Sequence, residues 1–491
     1  MDEKHEGLNI NKKTIVGIMG LLLGVLFLVG LLTQVLPRGQ FALDENGSVI
    51  AGTYTVEEDY KMPVWKIIAA PVMAFTNSNA VTGLAIIVIL VLVGGTFLIL
   101  DKIGVMKYLM ASIVNRFKDH RYLLIAVMVF AGMALSSTAG VLEETLTLVP
   151  LAVAISLAMG WDSLVGIGMS FVAVAFGFTA ATFNPFNVIT VQKLANLPVF
   201  SGLWLRLIVF VAVYCTLTGF LILYARKIEK QPRKSPAYET DKGIRDRYLM
   251  ENCEAVLADQ NIKKATHVFV VFLLCVLGGA VASFVLSLIG SKTENELLQT
   301  IGSNASLVSM AVFFPVGGLT AGYVSGLRGK RLISAFGAGI KTILPVIPLV
   351  IFILAITYVL DAGHIMHTIL NWLSTAMQGL SPYVVILLMF AFIALLEFFI
   401  GSGTAKAFLI VPLMSILCDL LGLTRQSMVL TFCLADGFTN LLYPTSSLMI
   451  LAIGMVGVSY KSWLKWTSKL FLMEAVVSIA VMMLCVAIGY Q

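Results

Sequence analysis

Four acids and one lysine fall inside or beside short polar interruptions of long hydrophobic tracts: Glu143, Glu144, Glu397, Asp436 and Lys406. A charge at the centre of a bilayer costs about 2.5–3.5 kcal/mol on insertion scales, so such residues are expected to face protein, water or a partner. Hydroxyls and amides surround them. Ser136-Ser137-Thr138-Ala139-Gly140 precedes the first two acids, and Glu397-Phe398-Phe399-Ile400-Gly401-Ser402-Gly403-Thr404-Ala405-Lys406 holds the third. Two further interruptions pair asparagine with proline, at Asn184-Pro185-Phe186-Asn187 and at Asn440-Leu441-Leu442-Tyr443-Pro444-Thr445-Ser446-Ser447. Proline removes a backbone hydrogen bond, and the freed carbonyl can be satisfied by Asn or Ser side chains or by a ligand. The candidate binding residues are therefore Ser136, Ser137, Thr138, Glu143, Glu144, Asn184, Asn187, Glu397, Ser402, Thr404, Asp436, Asn440 and Ser446.

Four carboxylates against Lys406 leave an excess of negative charge, which favours a cationic substrate group, a proton or Na⁺. Hydroxyls and glycines suit the carboxylate of an α-amino acid, while the acids suit its ammonium and a basic side chain. Lys406 aligns with Glu144 when the two halves of the chain are overlaid, an arrangement that would allow a salt bridge across the pseudo-axis. A structural ion pair or a coupling role are both open for this lysine. Gly401-Ser402-Gly403 would also suit plain helix packing of the small-residue type.

The elements that must position these residues are membrane helices. Of 491 residues, 59% are hydrophobic and 12% charged, and the mean hydropathy is +0.94. Soluble domains carry about 25% charged residues, so an all-α, polytopic membrane protein is expected. The net charge of +6 is gathered in a few loops, which speaks for topology rather than nucleic acid. The six cysteines show no CxxC or His-paired spacing, so neither a metal site nor a cofactor beyond a coupling ion, Na⁺ or H⁺, is expected.

The stretch Ser136–Gly140 should interrupt any helix. The flanking arms, Tyr122 to Leu135 and Leu146 to Met159, are shorter than the roughly 20 residues a spanning helix needs. Two short arms around a polar tip predict a re-entrant hairpin over residues 121–160, and a second is expected over 382–420. Residues 1–225 then form a first half, 226–266 a basic cytoplasmic linker, and 267–491 a second half. Leu100-Asp101 recurs as Leu360-Asp361, Val149-Pro150 as Val411-Pro412, and Gly177-Phe178-Thr179 as Gly437-Phe438-Thr439. The offset of about 260 residues, with the same order of parts, predicts an inverted-topology repeat with two re-entrant hairpins and two broken helices, an architecture of secondary transporters. Basic segments fall on one side under that threading, which places the N-terminus inside and the C-terminus outside the cytoplasmic (inner) membrane.

With the tip Ser136-Ser137-Thr138-Ala139-Gly140, the acids Glu143-Glu144 and the break Asn184-Pro185-Phe186-Asn187, the chain resembles the ion transporter superfamily. Within it, the chain is similar to the YfcC-type branch of the four-carbon dicarboxylate carrier family, over nearly its whole length. The resemblance implies basic amino acid or arginine/ornithine antiport, a scaffold-plus-transport-domain layout, often homodimeric, and elevator-like motion. The chain departs from the superfamily's Ser-Asn-Thr tips, with Ser136-Ser137-Thr138 and Ser402-Gly403-Thr404 in their places. The dicarboxylate and Na⁺ coordination of those tips therefore does not carry over directly.

The expected function is a secondary active transporter exchanging or taking up basic amino acids by alternating access, with a four-carbon dicarboxylate carrier coupled to Na⁺ or protons as the alternative. Its partners would be a small-molecule substrate and the lipid bilayer, with no nucleic acid. An intramembrane enzyme using Glu143-Glu144 as acid and base lacks an accompanying His pair or Ser/Lys dyad, so no enzyme activity is expected. Saturable counterflow would separate a carrier from a channel.

Overall fold

The computed structural model describes residues 12–42, 50, 53–56, 62–76, 80–117, 119–140, 142, 145–146, 148–198, 201–242, 253–293, 295–377 and 379–491. Helices dominate. Helix α1 (Lys12–Val35) is followed by a two-residue antiparallel ribbon of Gly39–Gln40 and Thr55–Val56. Helix α2 (Ala80–Lys102) bends by 73° into α3 (Val105–Phe117), where the apolar run gives way to a charged, amphipathic stretch.

The first predicted hairpin contains α4 (Arg121–Ala139) and α5 (Val149–Ala158). Beyond it lie α6 (Ser163–Thr179), with a π-helical turn at Gly168–Val172, and α7 (residues 185–194), which opens with a second π turn at Pro185–Ile189. Helix α8 (Leu203–Lys230) ends at the linker. Helices α9 (Gln260–Thr293) and α10 (Glu296–Val324) pack side by side, α10 against α2 and α9 against α3. Helix α11 (Lys330–Ile343) bends by 45° into α12 (Ile347–Gly363) through a 3-10 turn at Leu344–Val346, where Pro345 and Pro348 predict a kink. Helix α13 (Met366–Met377) precedes the second predicted hairpin, α14 (Pro382–Glu397) and α15 (Gly403–Leu421). Helices α16 (Arg425–Thr439), α17 (Ser447–Val456) and α18 (Tyr460–Ile488) complete the chain.

Among the described residues, four helices are long and apolar enough to cross a membrane, or up to six if each bent pair counts as one span. Two predictions fail locally. Helix α4 runs straight through Ser136-Ser137-Thr138-Ala139 and stops only at Gly140, and its stretch Arg121–Thr138 is one of those four. The hydroxyls do not break it because Thr138 Oγ1 donates back to the Ala134 carbonyl at 2.6 Å and Ser137 finds partners outside the helix. The last helix begins ten residues before the predicted Leu470, capped by Ser459 Oγ accepting from Ser462 N.

The chain that follows α8 folds back onto the start of α6. Asp162, fully buried, caps α6 by accepting from Val165 N, and takes hydrogen bonds from Tyr224 Oη (2.5 Å) and Ser235 Oγ (2.6 Å). Asp241 accepts from Ser163 N at 2.9 Å, so residues 235–241 are pinned to the turn between α5 and α6.

The two Gly-Phe-Thr segments meet in the core. A Cβ on Gly437 would lie 2.1 Å from the backbone nitrogen of Thr179, so only glycine permits this approach of α16 to α6. Phe438 packs with Phe176, Phe390 and Phe471, at centroid distances of 5.9–6.5 Å.

Candidate functional site

The site grows from the break at residues 180–187. Asn184 leaves the helical region (φ −53°, ψ 120°) and its side chain replaces the backbone bonds that Pro185 disrupts. Its Oδ1 accepts from Phe186 N at 2.9 Å, and its Nδ2 donates to the Ser136 carbonyl at 3.1 Å. That carbonyl also accepts from Gly140 N, whose left-handed φ of +72° ends α4. Ser137 completes the closure: its Oγ donates to the Ala180 carbonyl at 2.8 Å and lies 2.9 Å from Thr182 Oγ1, while its carbonyl accepts from the amides of Thr182 and Phe183. Ser136, Ser137, Asn184 and Asn187 are all buried. Ser136 Oγ has no hydrogen-bond partner among the described residues.

The second tip is ionic. Lys406, fully buried near the start of α15, pairs with Glu397 at the end of α14 and lies 2.6 Å from Asp436 Oδ1 on α16. Asp436 Oδ2 accepts from Asn187 Nδ2 at 3.0 Å, and Asn187 Oδ1 accepts from Cys433 Sγ at 2.8 Å. Thr404 Oγ1 donates to the Phe186 carbonyl at 3.1 Å. The short stretch 184–187 thus binds the first tip through Asn184 and the second through Phe186 and Asn187.

The remaining predicted residues are placed as follows. Thr138 bonds its own helix, as described. Asn440 Nδ2 donates to the Asp436 carbonyl at 2.9 Å, and Ser446 caps α17 by accepting from Met449 N at 3.4 Å. Ser402 is exposed at the tip, its carbonyl accepting from Lys406 N. Glu143 and Glu144 lie outside the described residues. The Lys406–Glu144 pairing therefore also lies outside the described residues; among those, Glu397 and Asp436 approach the lysine from the preceding helix and from the next one.

Sequence reasoning passed over three residues. Cys433 lies three positions before Asp436, one helical turn away, and its thiol reaches Asn187. Arg206 on α8 and Glu474 on α18 are 1% and 0% exposed. Their side-chain polar atoms meet no partner at hydrogen-bond geometry among the described residues, Ser478 being the polar group within reach of Glu474. A lone charge in an apolar span is a functional signal by default, and it was available in both spans.

Residues 17–487 match the family described as C4-dicarboxylate anaerobic carrier. The Escherichia coli (strain K12) protein named "Putative basic amino acid antiporter YfcC" is 27% identical over 421 residues, covering 82% of this chain and 78% of its own length. A Haemophilus influenzae protein is 23% identical over 424 residues, 85% of this chain and 77% of its own. Of solved structures, the Alcanivorax borkumensis YdaH transporter is similar at 19% identity and a TM-score of 0.44, covering 97% of this chain and 98% of its own. Neisseria gonorrhoeae MtrF, described within a class of antimetabolite efflux pumps, is similar at 18% identity and a TM-score of 0.41, covering 95% and 94%. The match along nearly the whole chain places this protein in the C4-dicarboxylate anaerobic carrier (DcuC) family.

Proposed function

We propose that this membrane transporter is a secondary carrier of basic amino acids, working by alternating access in the cytoplasmic membrane. One observation carries the reading: Lys406, an ammonium on a flexible tether, sits between the carboxylates of Glu397 and Asp436. A pocket that holds one ammonium this way is chemically fitted to hold another. A substrate ammonium or guanidinium would compete with Lys406 for those acids, while the Ser136 hydroxyl and the backbone at the tips would meet its carboxylate. The name carried by the Escherichia coli relative agrees with that class.

The architecture we propose is two inverted repeats, each with a re-entrant hairpin and a broken helix, joined by the 226–266 linker. The meeting of the two Gly-Phe-Thr segments at Gly437 and Thr179 supports a pseudo-axis there. The joining of both tips by residues 184–187 supports a binding site at the same level. Basic loops favour an inside N-terminus and an outside C-terminus. A homodimer is part of the same proposal.

A dicarboxylate carrier is the second reading, favoured by Arg206, a buried guanidinium without a described counter-charge, and by the family's description. Proteoliposomes loaded with unlabelled arginine decide between them. Saturable uptake of labelled arginine, competed by ornithine and not by succinate, is the expected result. Counterflow of succinate without counterflow of arginine would replace this reading with the second.

A further inference from the structure

Glu474 stands at the middle of α18, fourteen residues from either end of Tyr460–Ile488. It lies on the one buried stripe of that helix, with Trp463, Thr467, Leu470, Ser478 and Met482, while Leu472 and Val476 on other faces are 68% and 59% exposed. The carboxyl is fully buried, and Ser478, one turn on and also fully buried, is the polar group within its reach. Among the described residues no cation comes near it. Helices α8, α14, α16 and α17 pack against α18, and their titratable groups are engaged elsewhere or sit at another level. On α8, Tyr214 donates to Ala126, Tyr224 donates to Asp162, and Cys215 is exposed. Arg206 lies within electrostatic reach of Tyr490, sixteen residues past Glu474 and so about 24 Å along the chain axis at 1.5 Å per residue. On α14, Glu397 holds Lys406 and Tyr383 is exposed; on α16, Cys433 and Asp436 hold Asn187 and Lys406. Helix α17 has no titratable side chain.

An ionised carboxylate at such a place would be shut off from bulk water with no counter-charge among the described residues, and its burial cost would go unopposed. The group is therefore held as the neutral acid in this conformation. A metal cation is a poor alternative, because two carboxylate oxygens and one hydroxyl fall short of the roughly six oxygens that hard cations collect. Phe471, one turn before Glu474, packs against Phe438, which lies two positions from Asp436, so movement at the ionic tip reaches this layer directly.

We infer that Glu474 is a proton-carrying site of the transporter. It takes up one H⁺ to form the neutral acid when buried and releases it to water, as the carboxylate, when the conformational change hydrates it. The inference deepens the proposed function by naming its coupling ion, and its first test needs no transported solute. Infrared spectra of the purified full-length protein at neutral pH should show a protonated-carboxyl C=O band that disappears in Glu474→Gln, shifts in Ser478→Ala and returns in Glu474→Asp. A spectrum unchanged by Glu474→Gln, or a band removed by adding Na⁺, overturns the inference. If Glu474→Gln fails to fold, the shift in Ser478→Ala decides. A second test uses proteoliposomes containing a pH dye. Arginine, or succinate, added outside should change lumenal pH in the wild type, with complete loss of that change in Glu474→Gln and recovery in Glu474→Asp. Labelled arginine counterflow with no pH change in the wild type overturns proton coupling and leaves the substrate reading standing. Absence of arginine counterflow with the infrared band present removes the substrate reading and leaves the proton site.

Discussion

The first tip is closed by neutral hydrogen bonds, most of them to backbone, while the second is closed by charges. Ser137 and Asn184 tie α4 to the break through carbonyls and amides that cannot be titrated or displaced without unfolding the turn. Lys406, Glu397 and Asp436 tie α14, α15 and α16 together through side chains that another ion could replace. The two tips thus differ in kind: one is held by neutral hydrogen bonds that fix geometry, the other by paired charges. The break at 184–187 is their common point of attachment, since Asn184 bonds the first and Asn187 the second. The second break differs as well, because its carbonyls at Leu441 and Leu442 are taken by Trp463 Nε1 and Tyr460 Oη of the last helix.

The largest effect is expected at the lysine. Lys406→Met leaves two buried acids facing each other and should cost about 3–5 kcal/mol of stability, read as a fall in the thermal midpoint of the purified protein. Adding Glu397→Gln to Lys406→Met should restore part of that loss; no restoration would show that the tip is not held by charge.

Gly437→Ala comes next. Its methyl group would collide with the Thr179 backbone, costing about 1–3 kcal/mol as the helices separate. It should also slow counterflow, since it wedges apart the two Gly-Phe-Thr segments. A variant as stable as wild type would mean that α6 and α16 meet less closely.

At the neutral tip, Asn184→Ala removes both the cap on Phe186 N and the bond to the Ser136 carbonyl, and should cost about 1–3 kcal/mol. Added arginine should still raise that variant's thermal midpoint, because no charge has been lost. The smallest effect is expected from Ser137→Ala, about 0.5–1.5 kcal/mol. Thr182 N retains the Ser137 carbonyl as acceptor when the hydroxyl goes. A loss larger than that of Asn184→Ala would reverse the roles assigned within this tip.

Much of this arrangement was legible in the sequence, for physical reasons that differ by element. The bend after Lys102 follows from the onset of charge, the bend at Leu344–Val346 from two prolines, and the break at Asn184 from an Asn-Pro step that cannot continue a helix. The helical run through Ser136–Ala139 was not legible. Whether serines break a helix depends on partners from another segment, here Ala180 and Thr182, which local composition does not contain. The approach of Glu397 and Asp436 to Lys406 was hidden for a similar reason: they come from the end of α14 and from α16, which the repeat offset does not relate to the lysine. Glu474 and Arg206 were visible as lone charges in apolar spans, and only the structure places both in the protein interior.

The account turns on whether the acids at the second tip receive the substrate's positive charge. The direct measurement is the thermal midpoint of purified wild type and Asp436→Asn with and without arginine, since a ligand that binds the folded state raises it. Arginine should raise the wild-type midpoint and leave Asp436→Asn unmoved, with succinate raising neither. A rise with succinate and none with arginine, or an arginine rise that survives Asp436→Asn, would contradict it.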